Sequence, residues 1–353
     1  MERETGFEPA TACLEGRNST AELLPHVMIK LYYETNSFIL NKLYFNKLGE
    51  NVNVNPLSHS DIESAKNKLI IVTGSNSGIG REIAKSFADY GSKVIIACRN
   101  EQSALEAKKY IGLNSEFIYL DLSEIDTIYK FVDEVGSRYG KIDILVNNAG
   151  VLRPPLTRTK SGLELTFAVN YIGYYSLALL IMPLIRNVLG SRIINVSSIS
   201  QYSVKNIDWD NINSENGYYK NKIYALTNLF RMMLTIELNK RLSNSNSNIV
   251  SLACHPGISI TNIVRNLPKF ISNPAIVNIL NKLIFQPPDK ASHSAIMASL
   301  SSDVSGGDFI GLNTRKQYKG SPLIVSPNEL AFDKELRQRL WGISAEITGI
   351  DLN

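Results

Sequence analysis

Cysteine is scarce in this chain. Only Cys13, Cys98 and Cys254 occur, far apart, with no Cys-x-x-Cys pair and no histidine spacing to complete a metal set. That excludes a disulfide framework and a thiolate metal site, and reduced thiols imply an intracellular protein. Long apolar runs are missing as well, since a membrane span needs about 18 or more uninterrupted apolar residues. The nearest runs, SLALLIMPLI at 176–185 and the broken stretch from Met28 to Leu48, are too short or carry Lys, Glu and Asn. No integral span is expected, and the second run suits contact with a membrane surface, so the expected location is cytoplasmic or peripherally membrane-associated. No secretory apolar segment with a small-residue cleavage site follows Met1. An excess of one charge is also lacking: 37 basic and 33 acidic residues are dispersed, giving +4 without a Lys/Arg stripe. Nucleic acid is therefore not an expected partner.

What is present is a 353-residue chain, 44% hydrophobic and 20% charged, with the composition of an ordinary globular protein. Residues 1–26 differ in composition from the Asn-, Ile-, Lys- and Tyr-rich remainder, and Met28 is an alternative start. Residues 1–66 show no stable period and are read as a partly disordered N-terminal extension, with the folded domain at 67–353. From Asn67 onward apolar runs alternate with helical stretches: KLIIV, KVIIA, EFIYL, IDILV, RIINV and NIVSLA, separated by patterns such as IAKSFADY and IDTIYKFVDEV. A long helical stretch is read from about Ser161 to Leu189 and another over Ala225 to Leu242. Apolar runs without polar alternation are strands covered on both faces. The expected fold is a single α/β domain, a doubly wound, Rossmann-like parallel sheet. SNSNSN at 243–248 reads as a solvated loop.

TGSNSGIG, Thr73 to Gly80, follows the first apolar run directly and opens the next helix. Such a turn needs Gly74 for tightness, Gly78 for close approach of a pyrophosphate to the backbone, and Gly80 for close helix packing. The helix N-terminus adds N–H donors and partial positive charge. The second apolar run ends in CRN, so Arg99 stands where an acidic residue would bind the 2′-hydroxyl of NAD. A basic residue there accommodates a 2′-phosphate, so NADP is expected over NAD.

TGSNSGIG, ACRN, YLDLS, ILVNNAG, FAVNYIG, IINVSS and HPGISIT occur in that order between Thr73 and Thr261. With them the chain resembles the short-chain dehydrogenase/reductase family over nearly everything after Asn67. IDWDNINSENGYYKNKIY and RLWGISAEITGI are most similar to its retinol-dehydrogenase-like and WW-domain-oxidoreductase-like branch. The resemblance implies that Thr73, Gly74, Ser75, Ser77, Gly78, Ile79 and Gly80 bind cofactor phosphates. Arg99 and Asn100 would meet the 2′-phosphate, Asp121 and Leu122 the adenine, Asn148, Ala149 and Gly150 the ribose side, and Pro256, Gly257 and Thr261 the nicotinamide. It further implies a catalytic group of Tyr224, Ser198, Asn170 and the residue at 228. These answer the needs of carbonyl reduction: a proton donor, a second hydrogen bond to the oxygen, and a route to resupply the proton.

The tyrosine is not settled by spelling. Tyr218 and Lys222 satisfy Tyr-x-x-x-Lys, whereas Tyr224 is followed four residues later by Asn228. The branch's pattern between serine and tyrosine runs without a gap to Tyr224, and thirteen positions beyond it stand Glu237 and Leu238, the pair the branch carries there; the same step from Tyr218 lands on Arg231. Tyr224 is therefore read as the acid, at the cost of placing Asn228 where the family has lysine. An ammonium there favours the tyrosinate and donates to the ribose. Without it about 3 kcal/mol is withheld from proton transfer, on the order of a hundredfold in rate. A lysine restored at 228 is accordingly expected to raise activity. Phe230, where the family carries a small residue, is a second departure.

Two functions follow. The first is an NADP-dependent oxidoreductase acting on a small apolar carbonyl or alcohol, such as a retinoid, sterol or lipid aldehyde, with the apolar stretch Ile263 to Phe285 as substrate lid. The second is a cofactor-binding protein with impaired catalysis that serves as a regulatory or interaction module. Members of the family commonly pair through the helix that carries the tyrosine and its neighbour, so the resemblance implies a homo-oligomer, dimer or tetramer, beside the monomers and membrane-associated forms that the branch also includes.

Overall fold

A computed structural model describes residues 52–185, 191–259 and 286–352, all within the larger of two compact units, Phe45–Asn353. Thr261, the expected lid and residues 1–51 lie outside the described residues.

Eight strands form one sheet: β1 Leu69–Thr73, β2 Lys93–Cys98, β3 Ser115–Tyr119, β4 Ile144–Asn147, β5 Arg192–Val196, β6 Val250–Cys254, β7 Phe309–Leu312 and β8 Pro322–Ile324. Their order is β3-β2-β1-β4-β5-β6-β7-β8, parallel except for the antiparallel pair β7–β8. Each apolar run expected as a strand is one. Successive side chains of a strand point to opposite faces, so a run covered on both sides must be apolar throughout. Ile71, Ile95, Leu145 and Ile193 enter one core with Phe131, Tyr174 and Phe230. Ile70, Val72, Ile144, Val146 and Ile194 enter the other with Ile83, Phe87, Ala104 and Ile296.

The covering helices are α1 His59–Glu63, α2 Gly78–Asp89, α3 Glu101–Ile111, α4 Ile125–Tyr139, α5 Leu165–Phe167, α6 Gly173–Leu180, α7 Met182–Ile185, α8 Lys220–Asn244, α9 Pro288–Leu300 and α10 Lys334–Thr348. The segment expected as one helix from Ser161 to Leu189 is interrupted: it begins at Leu165, widens into a π-turn at Ala168–Ile172 and breaks at Ile181. Helix α8 begins at Lys220, ahead of the expected start. Packing also reaches back before Asn67. Val52 pairs with Ile324, α1 carries a Ser58–Asp61 capping box, and Asp61 accepts from Ser302 N.

Glu237 shows how α8 is fixed. It is 3% exposed, and its carboxylate accepts from Arg241 Nε at 3.0 Å and from the buried Arg337 of α10 at 3.3 Å. Removing one partner of a buried ion pair leaves a charge uncompensated. Glu237→Ala is expected to cost about 3–5 kcal/mol, read as a lowered urea midpoint; a loss below about 1 kcal/mol, the worth of a surface pair, contradicts this.

Candidate active site

In the strand order above, β1 is flanked by β2 and β4, so the chain leaves β1 and β4 on opposite sides and a crevice opens beyond their C-terminal ends. Of the expected site residues that are described, those of the glycine turn, Arg99 and Asn100, Asp121 and Leu122, Asn148 to Gly150, Ser198, and Pro256 and Gly257 follow the C-terminal ends of β1 to β6, while Asn170 lies in the π-turn and Tyr224 and Asn228 on α8.

At the end of β1, Gly74 (φ +67°) and Gly78 (φ +56°) adopt left-handed backbone, which glycine enters without cost. A Cβ on Gly74 would lie 2.8 Å from Ala149 Cα, and one on Gly80 2.3 Å from Asn148 Nδ2 and 2.6 Å from Gly74 O. Helix α2 starts at Gly78 with neither a side-chain cap from Ser77 nor an acidic residue in its first turn. Its leading N–H groups thus have no anion of the helix's own, a fit for a pyrophosphate. The hydroxyls are used differently from expectation. Ser75 Oγ donates inward to Val72 O at 2.7 Å, and Thr73 Oγ1 accepts from Asn148 N and Ala149 N, both at 2.9 Å. Asn148 Nδ2 donates to Thr73 O at 2.9 Å. Thr73 and Asn148 lock the β1 and β4 loops together, and Ser75 holds the turn to the end of β1.

At the end of β2, the Arg99 side chain is 60% exposed and its guanidinium lies 3.9 Å from Asp121. Asn100 caps α3, accepting from Ser103 N. Leu122 is buried against Gly173, where a Cβ would lie 2.6 Å from Leu122 O. Beyond β6, Gly257 (φ +73°) passes so close to Tyr318 O that a Cβ would sit 2.3 Å away, which fixes the Pro256–Gly257 turn. The preceding His255 bonds Gln317 and Gly257 N, and burial pushes its imidazole down to about 4, so it is neutral near pH 7.

At the end of β5, Ser198 Oγ accepts from Ser200 N, and the neighbouring Ser197 donates to Asn228 O at 2.9 Å, tying the serine segment to α8. Tyr224 lies on the first turns of α8, half-buried, with the Arg153 guanidinium 5.7 Å from its ring centre. Tyr218 precedes the helix, and its hydroxyl donates to Pro154 O at 2.6 Å. Lys222 is exposed and stacks over Tyr219. Tyr218 and Lys222 therefore do not form the helical pair that their spelling suggests. The bulk of Phe230 is turned away into a ring cluster with Tyr171, Phe167 and Trp209.

Asn170 occupies the π-turn, a helical irregularity common at functional sites. Its side chain accepts from Val151 N and donates to Val151 O. Its backbone oxygen accepts from Arg231 Nε at 2.5 Å.

The short chain dehydrogenase family profile matches residues 68–271. Retinol dehydrogenase 14 of Mus musculus is 30% identical over 80% of this chain and 86% of its own length. The chain belongs to the short-chain dehydrogenase family. Retinol dehydrogenase 13 of Mus musculus is 33% identical over 80% of the chain and 84% of itself, and human polyprenol dehydrogenase 29% identical over 80% and 86%. Among solved structures, an uncharacterized protein from Mycobacterium paratuberculosis superposes with a TM-score of 0.70 at 25% identity, over 85% of this chain and all of its own. The protein is thus an oxidoreductase of the short-chain dehydrogenase/reductase type, of retinol-dehydrogenase-like descent.

Several residues of this short-chain dehydrogenase were not singled out as functional from sequence. Arg153 overhangs Tyr224, and Arg231, 4% exposed, lies beside Asn170 and Asn228. Buried Asn147 donates to Asn195, which donates to Thr235, a polar ladder across β4, β5 and α8. An arginine within LFRMML, seven residues after Tyr224, was the available signal for Arg231. Among the described residues no group of three His, Cys, Asp or Glu side chains is placed to hold a metal, and no helix is long and apolar enough to cross a membrane.

Proposed function

We propose that this protein interconverts an apolar alcohol and its carbonyl compound using NADP(H), with Tyr224 as the group that gives a proton to, or takes one from, the substrate oxygen. The observation that carries this reading is the contrast between the two tyrosines: Tyr218 is off the helix with its hydroxyl spent on Pro154 O, while Tyr224 stands on α8 one turn before Asn228, whose backbone oxygen accepts from Ser197. Ser198 supplies the second hydrogen bond to the substrate oxygen. Asn170 holds the π-turn and its loop. The backbone of Gly74, Ser77, Gly78, Ile79 and Gly80 receives the pyrophosphate, with Thr73 and Ser75 fixing that turn from within. Asp121 and Leu122 border the adenine, Asn148, Ala149 and Gly150 the ribose, and Pro256 and Gly257 the nicotinamide. The bound nicotinamide supplies hydride chemistry; the chain's own part is to orient, exclude water and handle the proton.

The preference for NADP rests on Arg99, whose largely exposed guanidinium ends β2 beside Asp121. A charge-assisted contact is worth about 1.5–3 kcal/mol, so Arg99→Ala is expected to weaken NADPH binding roughly tenfold to a hundredfold and leave NADH nearly unchanged. Fluorescence titration with both cofactors checks this, and equal losses for the two overturn the NADP reading. An apolar isoprenoid-like substrate is supported by the names of relatives, retinol and polyprenol dehydrogenases. A panel of retinoid, sterol and lipid aldehydes and ketones with NADPH tests it. Asn228 favours a second reading, a cofactor-binding module with impaired catalysis; tight NADPH binding without turnover on that panel would support it.

A further inference from the structure

Position 228 lacks the family's ammonium, yet the site does not lack a cation. Arg231 stands three residues further along α8, so Tyr224, Asn228 and Arg231 follow one helical face at steps of four and three. Its guanidinium is buried under the crevice. Nε donates to Asn170 O at 2.5 Å, Nη1 to Val196 O at 2.7 Å and to Asn228 Oδ1 at 3.3 Å, and Nη2 to Ala149 O at 3.4 Å. The Tyr174 ring lies 4.1 Å from its central carbon, and Tyr174 donates to the same Ala149 oxygen. These contacts reach the four segments that carry the candidate site: the loop after β4, the π-turn, the end of β5 before Ser198, and the turn after Tyr224.

Every hydrogen-bond partner is a neutral oxygen, and among the described residues no carboxylate pairs with Arg231. An arginine stays protonated under all ordinary conditions, so these oxygens solvate the charge without cancelling it. A buried, uncompensated cation is costly to desolvate, and in a low-dielectric site it exerts a stronger field than in water. Even the covering loop makes room for it: a Cβ on Gly150 would lie 3.2 Å from Nη2.

Asn228 fits this cation and not a lysine's place. It is wholly buried; Nδ2 donates to Tyr224 O at 2.7 Å, and Oδ1 accepts from Arg231. An amide has the donor and the acceptor this bridge needs. A lysine has donors only and would set an ammonium against the guanidinium.

We propose that Arg231 is the positioning residue that supplies the fixed positive charge of the proton-handling site, transferred along α8 from position 228, and that Asn228 is its neutral bridge to the tyrosine turn. The proposal rests on Tyr224 being the proton-handling tyrosine. It reverses the expectation from sequence: Asn228→Lys lowers turnover rather than raising it, because two cations then share one dry site. Among the described residues Arg153 lies over the Tyr224 ring, and Tyr174 has both Tyr224 and Arg231 as charged or titratable neighbours, with Cys254 beyond it; Arg231 itself reaches the Tyr224 turn through Asn228. Arg153 is the rival source of charge.

The test compares Arg231→Met, Arg231→Asn, Asn228→Lys, the exchange Asn228→Lys/Arg231→Asn, and Arg153→Gln, each in the full chain. Turnover with NADPH, NADPH binding, and the tyrosinate absorbance that differs between proteins with tyrosine and with phenylalanine at 224 are followed against pH. Arg231→Met is expected to keep NADPH binding, lose roughly tenfold or more in turnover, and move the tyrosinate signal to higher pH, since a removed cation disfavours the anion. The exchange is expected to regain turnover lost in Arg231→Asn. An unchanged tyrosinate signal and turnover in folded Arg231→Met, an exchange no better than Arg231→Asn, or a shift that follows Arg153→Gln instead overturns the proposal. If the Arg231 variants do not fold, Asn228→Lys decides: higher turnover than native refutes the proposal and lower turnover sustains it. Persistent turnover in Tyr224→Phe would instead sink the reading on which the proposal stands, and the tyrosinate signal still decides the charge question if no substrate of the panel is turned over.

Discussion

Tyr224→Phe is expected to lower turnover with NADPH by about two to four orders of magnitude, the range general acid catalysis contributes. NADPH affinity should change little. The substitution removes one oxygen from a half-buried side chain that makes no hydrogen bond to another of the described residues, so stability should also hold. Carbonyl reduction leaves a developing alkoxide that must be protonated as it forms. Without the phenol that proton comes only from water, and Ser198 can hold the oxygen but not replace the acid. Single-turnover measurement with saturating NADPH isolates the chemical step. A variant that binds NADPH as tightly as native and turns over within a few-fold of it would remove Tyr224 from the reaction.

Gly80→Ala is expected to be nearly as severe by a different route. The added carbon would stand 2.6 Å from Gly74 O and 2.3 Å from Asn148 Nδ2. One obstacle is backbone, and the other is an amide engaged with Thr73 O. Neither can swing away without opening the β1–β4 loop pair, the proposed frame of the cofactor site. Overpacking of this kind costs about 1–3 kcal/mol in stability, and displacement of the turn should weaken NADPH binding by more than about a hundredfold, the loss of two or so charge-assisted hydrogen bonds. Gly342→Ala is the control. It lies within α10 with nothing close to its added Cβ, so it should stabilise by about 0.5–1 kcal/mol through helix propensity alone. Thermal unfolding and NADPH titration of both variants check the contrast; equal behaviour would show that close packing at Gly80 is not what shapes the crevice.

The doubly wound sheet was legible because strands covered on both faces must be apolar at every position, which makes runs such as KLIIV and IDILV conspicuous without any partner in view. The glycine turn was legible for a related reason: left-handed backbone and close approach admit few other residues. The π-turn at Ala168–Ile172 was not, because Phe167 to Ile172 carries the composition of a continuous buried helix, and the widening answers to what its carbonyls meet across the core. The hydrogen bonds that Thr73, Ser75 and Asn148 make within and between the two loops were not legible, since a side chain's residue type does not reveal which backbone groups it meets. Arg231 was legible only as an oddity. One arginine among Leu, Phe and Met reads as a surface residue until the three carbonyls and the tyrosine ring around it are in place.

Whether the chemistry belongs to Tyr224 and not to the tyrosine with the better spelling is decided by measuring kcat/KM of Tyr218→Phe and Tyr224→Phe in one assay. Collapse of Tyr224→Phe alone, with Tyr218→Phe within a few-fold of native, is the predicted result; collapse of Tyr218→Phe alone would contradict it.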